Sequence, residues 1–287
     1  MSYKSPFVLP RQASRAAADS ARVRLSNGSE SDGYLGIRVL NILDHMRGKN
    51  GKGGGGVHAW ARDNFLSVPT LSMASEIRKN VGRELAQMGF LRDANNVADD
   101  MSTEALVQAA LLAGFYPNLA SRTGGDANFS TAQNRKIKVH ISSVNALRGM
   151  RLGKKSAVGK NEIEFLSFLE MVKGKDIFTC QGTSAVHSVL PIILLSAMHQ
   201  GGSLTVRPST VEGEDNLAIL NLDDFVVLKV DRDVASSIVI MRGRLNKILN
   251  RMLERPKDHG SKGYNDNVIR AARNVIKVAF EDERNKG

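Results

Sequence analysis

Arg135 to Asn145 reads RKIKVHISSVN. Within it Ile137, Val139 and Ile141 alternate with Lys136, Lys138 and His140, the period-two pattern of a strand with an apolar face toward a core and a polar face outward. The outward face is a basic row, and Arg135 precedes it in a longer basic run. It continues beyond the strand, because Arg148, Arg151, Lys154, Lys155 and Lys160 follow with no Asp or Glu from Arg135 to Lys160. Beside that row stand the hydroxyls of Ser142 and Ser143 and the amide of Asn145, groups suited to a sugar-phosphate backbone. A second reading of the same residues is a solvated edge strand on which lysines block edge-to-edge pairing.

Working outward, short segments rich in β-branched and aromatic residues predict strands at Asn128–Thr131, Ile137–Ile141, Glu162–Met171, Asp176–Cys180, Ser203–Val206 and Phe225–Val230. Five or six strands at irregular spacing suggest a small barrel. Before residue 117 the pattern is helical. Ala74, Ile77, Val81, Leu85 and Met88 recur at steps of three and four and predict a helix with one stripe toward a core. Ser102 or Thr103 is placed to cap a helix whose Leu106, Ala109, Ala110 and Ala113 share a face before Gly114 and Pro117 stop it. Shorter helices are expected at Gly36–Met46 and His58–Phe65. After the strands, Asp233 is placed to cap a helix carrying Val234, Ile238, Met241, Leu245, Ile248 and Met252, and a tail helix is expected at Asp266–Phe280. GKNGKGGGG at Gly48–Gly56 and RPKDHGSKG at Arg255–Gly263 read as loops.

The 287 residues carry 40 Lys and Arg against 29 Asp and Glu, a formal charge of +11, which favours a polyanionic partner bound with salt-sensitive affinity. The longest apolar run, Val186 to Met198, is broken by His187, Ser188 and Pro191 and is too short to span a bilayer. No membrane partner is expected. One cysteine, Cys180, allows neither an internal disulfide nor a Cys-rich zinc site, and reads as a small buried hydrophobe in a strand of an intracellular protein. Nucleus, cytoplasm and mitochondrion are not distinguished. Arg11, Arg15, Arg22 and Arg24 with a single acid, Asp19, have the composition of a mitochondrial targeting segment or of folded structure.

Catalytic signatures are missing. A phosphate-cradling loop needs GxxxxGK[ST]; the nearest stretch, GMRLGKKS at Gly149–Ser156, has its first glycine one place too close and Lys155 where a metal-binding hydroxyl is required. Asp99 and Asp100, or Asp223 and Asp224, lie in turn-like settings that suit capping. His58 beside Trp60 suits helix packing, and the six histidines show no metal-ligand spacing. No catalysis and no metal are expected. Aromatics are 5% of the chain, so contact with nucleic acid should run along the backbone and tolerate sequence. Phe129 is the open candidate for base stacking, and Tyr116 reads as core.

Five stretches then share an order. SDGYLGIRVLNILDHMRG, AWARDNFLSVPTLSMASEIRKNVGRELAQMGF, ALLAGFYPNLASRT and KVHISSVNAL follow one another after YKSPFVLP near the start. This succession resembles the C-terminal region of DEAH/RHA-family (DExH-box) ATP-dependent RNA helicases, over roughly Ser5 to Arg255. The chain departs from that pattern at Ile141, where the family often has proline, and at Gly33, where histidine is common. The resemblance implies an α+β fold: a helical helicase-associated (ratchet-like) domain, an OB-fold-like β-barrel and C-terminal helices. The expected divisions are 1–34 for a segment continuing from a helicase-associated region, 35–116 helical, 117–232 barrel, 233–256 a helix packing on the barrel, and 257–287 a basic tail. It also implies a piece of a longer helicase, with ATP and magnesium needed only by motor domains outside this chain. The implied partners are single-stranded RNA, the motor domains and regulatory proteins. The implied RNA contacts are Arg122, Arg135, Lys136, Lys138, His140, Ser142, Ser143, Asn145, Lys154 and Lys155. The rival reading is a protein-interaction scaffold of an RNA-processing or ribosome-assembly complex, docking through the helix from Val234 to Met252 and the tail.

Overall fold

Leu35, Val39 and Leu43 recur every four residues and are at most 2% exposed, which fixes the buried stripe of the first long helix. The computed structural model describes residues 5–8, 10–49, 55–90, 104–123, 129–147, 164–174, 177–196, 202–257 and 267–285. A 3-10 turn, Gln12–Ser14, leads into α1 (Arg15–Ser26), which ends at Asn27 in the left-handed conformation. α2 (Asp32–Lys49) and α3 (Gly55–Asp63) cover the two expected helices with different ends. α4 (Val68–Met88) starts at Ser67, whose hydroxyl accepts from the Thr70 amide, has proline in its first turn and stops at left-handed Gly89. Leu25, Leu35, Val39, Leu43, Val57 and Leu71 form the core these helices share. α1 was not expected as a helix, yet it buries Ala18, Ala21, Arg22 and Leu25 and is an integral layer of this core.

The stripe expected to face that core along α4 does not. Only Leu71 and Ser75 are buried, while Met73, Ile77, Val81 and Met88 are each about half exposed. The helix packs on α2 and α3, Ala74 and Leu85 of the stripe are half-buried, and Ile77, Val81 and Met88 remain open to solvent.

α5 (Glu104–Phe115) precedes β1 (Leu119–Arg122), β2 (Phe129–Thr131), β3 (Lys136–Val139), α6 (Val144–Leu147), β4 (Phe165–Ser167), β5 (Glu170–Lys173), β6 (Phe178–Gln181) and β7 (Ser184–Val186). The expected caps Ser102 and Thr103 lie outside the described residues. These seven strands make one sheet in the order β5-β6-β3-β2-β1-β4-β7, antiparallel throughout except for β3 beside β6. Phe129, Ile137, Leu166, Phe168 and Cys180 fill its core. The strand expected over Glu162–Met171 is two strands, β4 and β5, with Phe168 and Leu169 between them.

α7 (Leu190–Leu195) leads to a second, three-stranded antiparallel sheet of β8 (Leu204–Pro208), β9 (Leu217–Leu222) and β10 (Val226–Asp231). Two strands expected in the barrel, at Ser203–Val206 and Phe225–Val230, belong to this separate meander. α8 (Arg232–Glu254) and α9 (Asn267–Asn285) close the described chain. The residue flanking α8 is Asp231 rather than Asp233, which sits in the first turn, where a carboxylate faces the positive helix end. α5 is central to the packing: Leu106 and Ala109 meet Ile193, Leu220, Ile238 and Ile276, and Leu112 and Tyr116 meet Phe165, Ile192, Leu222 and Val226. No described helix is long and apolar enough to cross a membrane.

Candidate nucleic-acid interface

β3 is not an edge. It pairs with β2 on one side and β6 on the other, so its lysines do not serve to blunt an open strand. Ile137 is 1% exposed and points into the sheet's core, while Lys136 and Lys138 are exposed on the opposite face. Side chains opposite one another across paired strands share a face. Lys138 is therefore beside Thr179 of β6 and, through it, Val172 of β5. Gln181 and Glu170 form the next row on that face, so one carboxylate borders the cations. Thr179 and Gln181 were not singled out from the sequence. The alternation of Thr179, buried Cys180 and Gln181 on β6 carries the signal that they share the outward face.

Arg135, exposed at the start of β3, places its guanidinium 5.8 Å from the Phe178 ring centroid. His140 continues the row. Its Nδ1 accepts the Ser142 amide at 3.2 Å and lies 2.6 Å from the Ser142 hydroxyl. With Nδ1 accepting, the proton of the neutral ring resides on Nε2. The Ser142 carbonyl accepts from Arg22 of α1 at 2.7 Å, and Arg22 also stacks over Phe7 at 4.6 Å. Arg22 is 3% exposed, and burial lowers the pKa of its guanidinium. This buried cation fastens α1 to the loop that ends the basic row.

Ser143 and Asn145 require a correction. Both are 2% exposed, and their side chains turn away from solvent. The Ser143 hydroxyl is 2.7 Å from that of Thr183, and the Asn145 amide donates to the Thr183 hydroxyl at 2.9 Å and to the Glu30 carbonyl at 3.1 Å. Asp32 completes the group: its Oδ1 accepts the Val144 amide at 2.8 Å and its Oδ2 the Thr183 amide at 2.9 Å. Ser31 and Ser184 hydroxyls meet at 2.6 Å next to it. Burial raises the Asp32 carboxyl pKa, opposed by these hydrogen bonds. Ser143, Asn145, Asp32 and Thr183 thus clasp the start of α2 to the sheet beneath the basic row, because buried polar groups must find partners.

Arg122 is also apart from the lysines. It pairs with Phe129, which pairs with Ile137, so Arg122 belongs to the opposite face and is half-buried. Phe129 is fully buried and not available for stacking. Tyr116 is core, its hydroxyl donating to Asp223. Asp223 and Asp224 take left-handed turn conformations, and Asp223 also accepts the Ser203 amide at 2.7 Å. Lys154 and Lys155, like Arg148, Arg151, Lys160, Asp99 and Asp100, lie outside the described residues. The sheet therefore brings together Lys136, Lys138 and His140, with Ser142 beside them, while Arg135 lies over Phe178 at the rim of the opposite face.

Residues 107–197 match a family profile described as an oligonucleotide/oligosaccharide-binding (OB)-fold, which covers the seven-stranded sheet with most of α5 and α7. The chain is an α+β protein bearing an OB-type domain. It is 28% identical over 263 residues to the DExH-box ATP-dependent RNA helicase DExH1 of Arabidopsis thaliana, covering 89% of this chain and 23% of that protein. It is 24% identical to DExH6 and to DExH3 of the same plant, covering 68% and 66% of this chain and 14% and 15% of theirs. The chain thus spans about a quarter or less of the length of these relatives. Order of motifs, OB-type domain and relatives agree: the chain is similar to a C-terminal region of DExH-box RNA helicases.

Proposed function

We propose that this chain is the RNA-gripping accessory module of a DExH-type helicase, holding single-stranded RNA by its backbone and passing the influence of regulatory partners to the motor. The observation that carries the reading is the outward row of Lys136, Lys138 and His140 on an interior strand of the OB-type sheet. A row on a doubly paired strand is held rigidly, as a track for regularly spaced phosphates must be. Thr179 and Gln181 beside the lysines add hydrogen-bonding groups for sugar and phosphate oxygens. With Phe129 buried, no aromatic ring on this face stacks bases among the described residues, so the grip is electrostatic and sequence-tolerant. ATP and magnesium belong to the motor domains, and their closure would draw RNA past this surface while the row holds the strand between strokes.

The test is binding of the full chain to a labelled single-stranded RNA across a salt series, beside the Lys136→Glu/Lys138→Glu variant. Affinity should fall steeply with salt, and the double reversal should weaken binding at least tenfold and flatten the slope. Unchanged RNA affinity in the variant refutes the reading.

A further inference from the structure

A groove of about 560 Å³ runs between β8 and α8, on the second sheet and away from the basic row. Val206, Pro208, Ala218, Val239 and Ile240 line it. Cross-strand pairing puts Val206 and Pro208 on the same face as Leu220 and Ala218, the face that packs on the C-terminal helices. Leu220 is fully buried there, but Val206 overhangs the helix and is 48% exposed, facing Val239 and Ile240, which are 40% and 55% exposed. Val206, Pro208, Val239 and Ile240 are thus left open to solvent. Gly243, one turn beyond Val239 on the same arc of α8, has nothing within 4 Å of where a Cβ would stand, so the helix is uncovered there as well.

Charge selects the occupant. Arg232 borders the apolar floor at one end, and on α8 the exposed Arg244 and Lys247 stand at the far end of the same arc, with Asp233 an acid near the first end. From Arg232 to Lys247 the helix rises about 22 Å, the span of about seven extended residues. We infer that this groove docks a short acidic segment of a protein partner, apolar in its middle and carboxylate-bearing at both ends. A second copy of this chain is disfavoured, since each copy carries +11 and would meet the other's arginines. Single-stranded RNA is disfavoured by a floor of Val, Pro, Ala and Ile with no aromatic ring on which a base could stack.

The probe is a fluorescein-labelled nonapeptide with two aspartates at each end and a Leu/Val core, titrated into the full chain and followed by anisotropy. The control peptide has lysines for the aspartates. Saturable binding is expected, at least tenfold weaker for the control and for the variants Ile240→Glu and Arg232→Glu/Lys247→Glu. Ile240 and the two cations are exposed, so these variants should keep the native circular dichroism and the wild-type RNA affinity, which separates this proposal from the RNA grip. Absence of saturable binding, equal binding of both peptides, or undiminished binding by Ile240→Glu overturns it. Loss of RNA affinity in Ile240→Glu without peptide binding to the parent chain would assign the groove to RNA and overturn it equally.

Discussion

Asp32 and Val144, 112 residues apart in sequence, are joined by a 2.8 Å hydrogen bond in which the Val144 amide donates to the Asp32 carboxylate. The same carboxylate accepts the amide and hydroxyl of Thr183, 151 residues away. One short side chain at the start of α2 thus pins two separate stretches of the OB-type region to the helical layer.

Asp32→Asn should destabilise the chain by about 1–3 kcal/mol, because the amide nitrogen would face the backbone amide of Val144 or of Thr183, both of which donate to Asp32. The pH dependence has a defined sign. Burial raises the folded-state pKa of Asp32, so the folded chain keeps its proton to higher pH than the unfolded chain does. From about pH 4 up to the raised value the folded state binds more protons, and stability from this group falls as pH rises. Urea midpoints measured from pH 4 to 7 should show the parent's advantage over Asp32→Asn shrinking upward through that window. An advantage that grows with pH would contradict the assignment.

Ser143 and Asn145 separate support from contact. Ser143→Ala and Asn145→Ala should each cost about 1–3 kcal/mol, since each leaves buried partners unsatisfied. RNA affinity measured well below the melting temperature should stay within about twofold, as the lysines remain on their strand. A loss of affinity as large as that of Lys136→Glu/Lys138→Glu, with unchanged stability, would return these residues to the RNA surface.

What could be read from residues alone follows from where each signal lives. β3 was legible because Ile137 and Val139 alternate with lysines, and both faces differ in polarity. β9 was not: in LAILNL the exposed-side positions Leu217 and Ile219 are as apolar as buried Ala218 and Leu220, so no alternation marks it. Ser143 and Asn145 were misplaced because a hydroxyl or amide serves equally in solvent or in a buried cluster, and their partners are distant in sequence. The collinear motifs carried more than local pattern did: SD at Ser31 and Asp32 and SSVN at Ser142–Asn145 turn out to be two halves of one clasp. The long basic run was half legible, since Lys154 and Lys155 are not among the described residues.

Periodicity shows that a helix is amphipathic, not that something covers it, and α4 tests the difference. Ile77→Ser should change stability by no more than about 0.5 kcal/mol, because Ile77 is 51% exposed. Leu71→Ala, at a site 1% exposed in the same helix, should cost about 2–5 kcal/mol through lost burial and a cavity. Chemical denaturation of the two variants reads both values, and a costly Ile77→Ser would mean that a further element packs on the stripe.

Cys180 offers a probe of the strand that carries the lysines. Its thiol is fully buried on β6, 3.4 Å from the Lys138 carbonyl to which it donates, and burial pushes its pKa up to about 12. At pH 8 the thiolate is then roughly one part in ten thousand, so a disulfide reagent should leave the native chain unmodified on the scale of minutes and react at once in 6 M guanidinium. Labelling under native conditions requires the β3–β6 pair to part, and its rate reports the free energy of that opening. Because the clasp at Asp32 holds residues on both flanks of this pair, Val144 after β3 and Thr183 after β6, Asp32→Asn should accelerate labelling by the factor that matches its loss of stability, tenfold for each ~1.4 kcal/mol. Labelling that is unchanged in Asp32→Asn would mean that the sheet opens independently of the clasp.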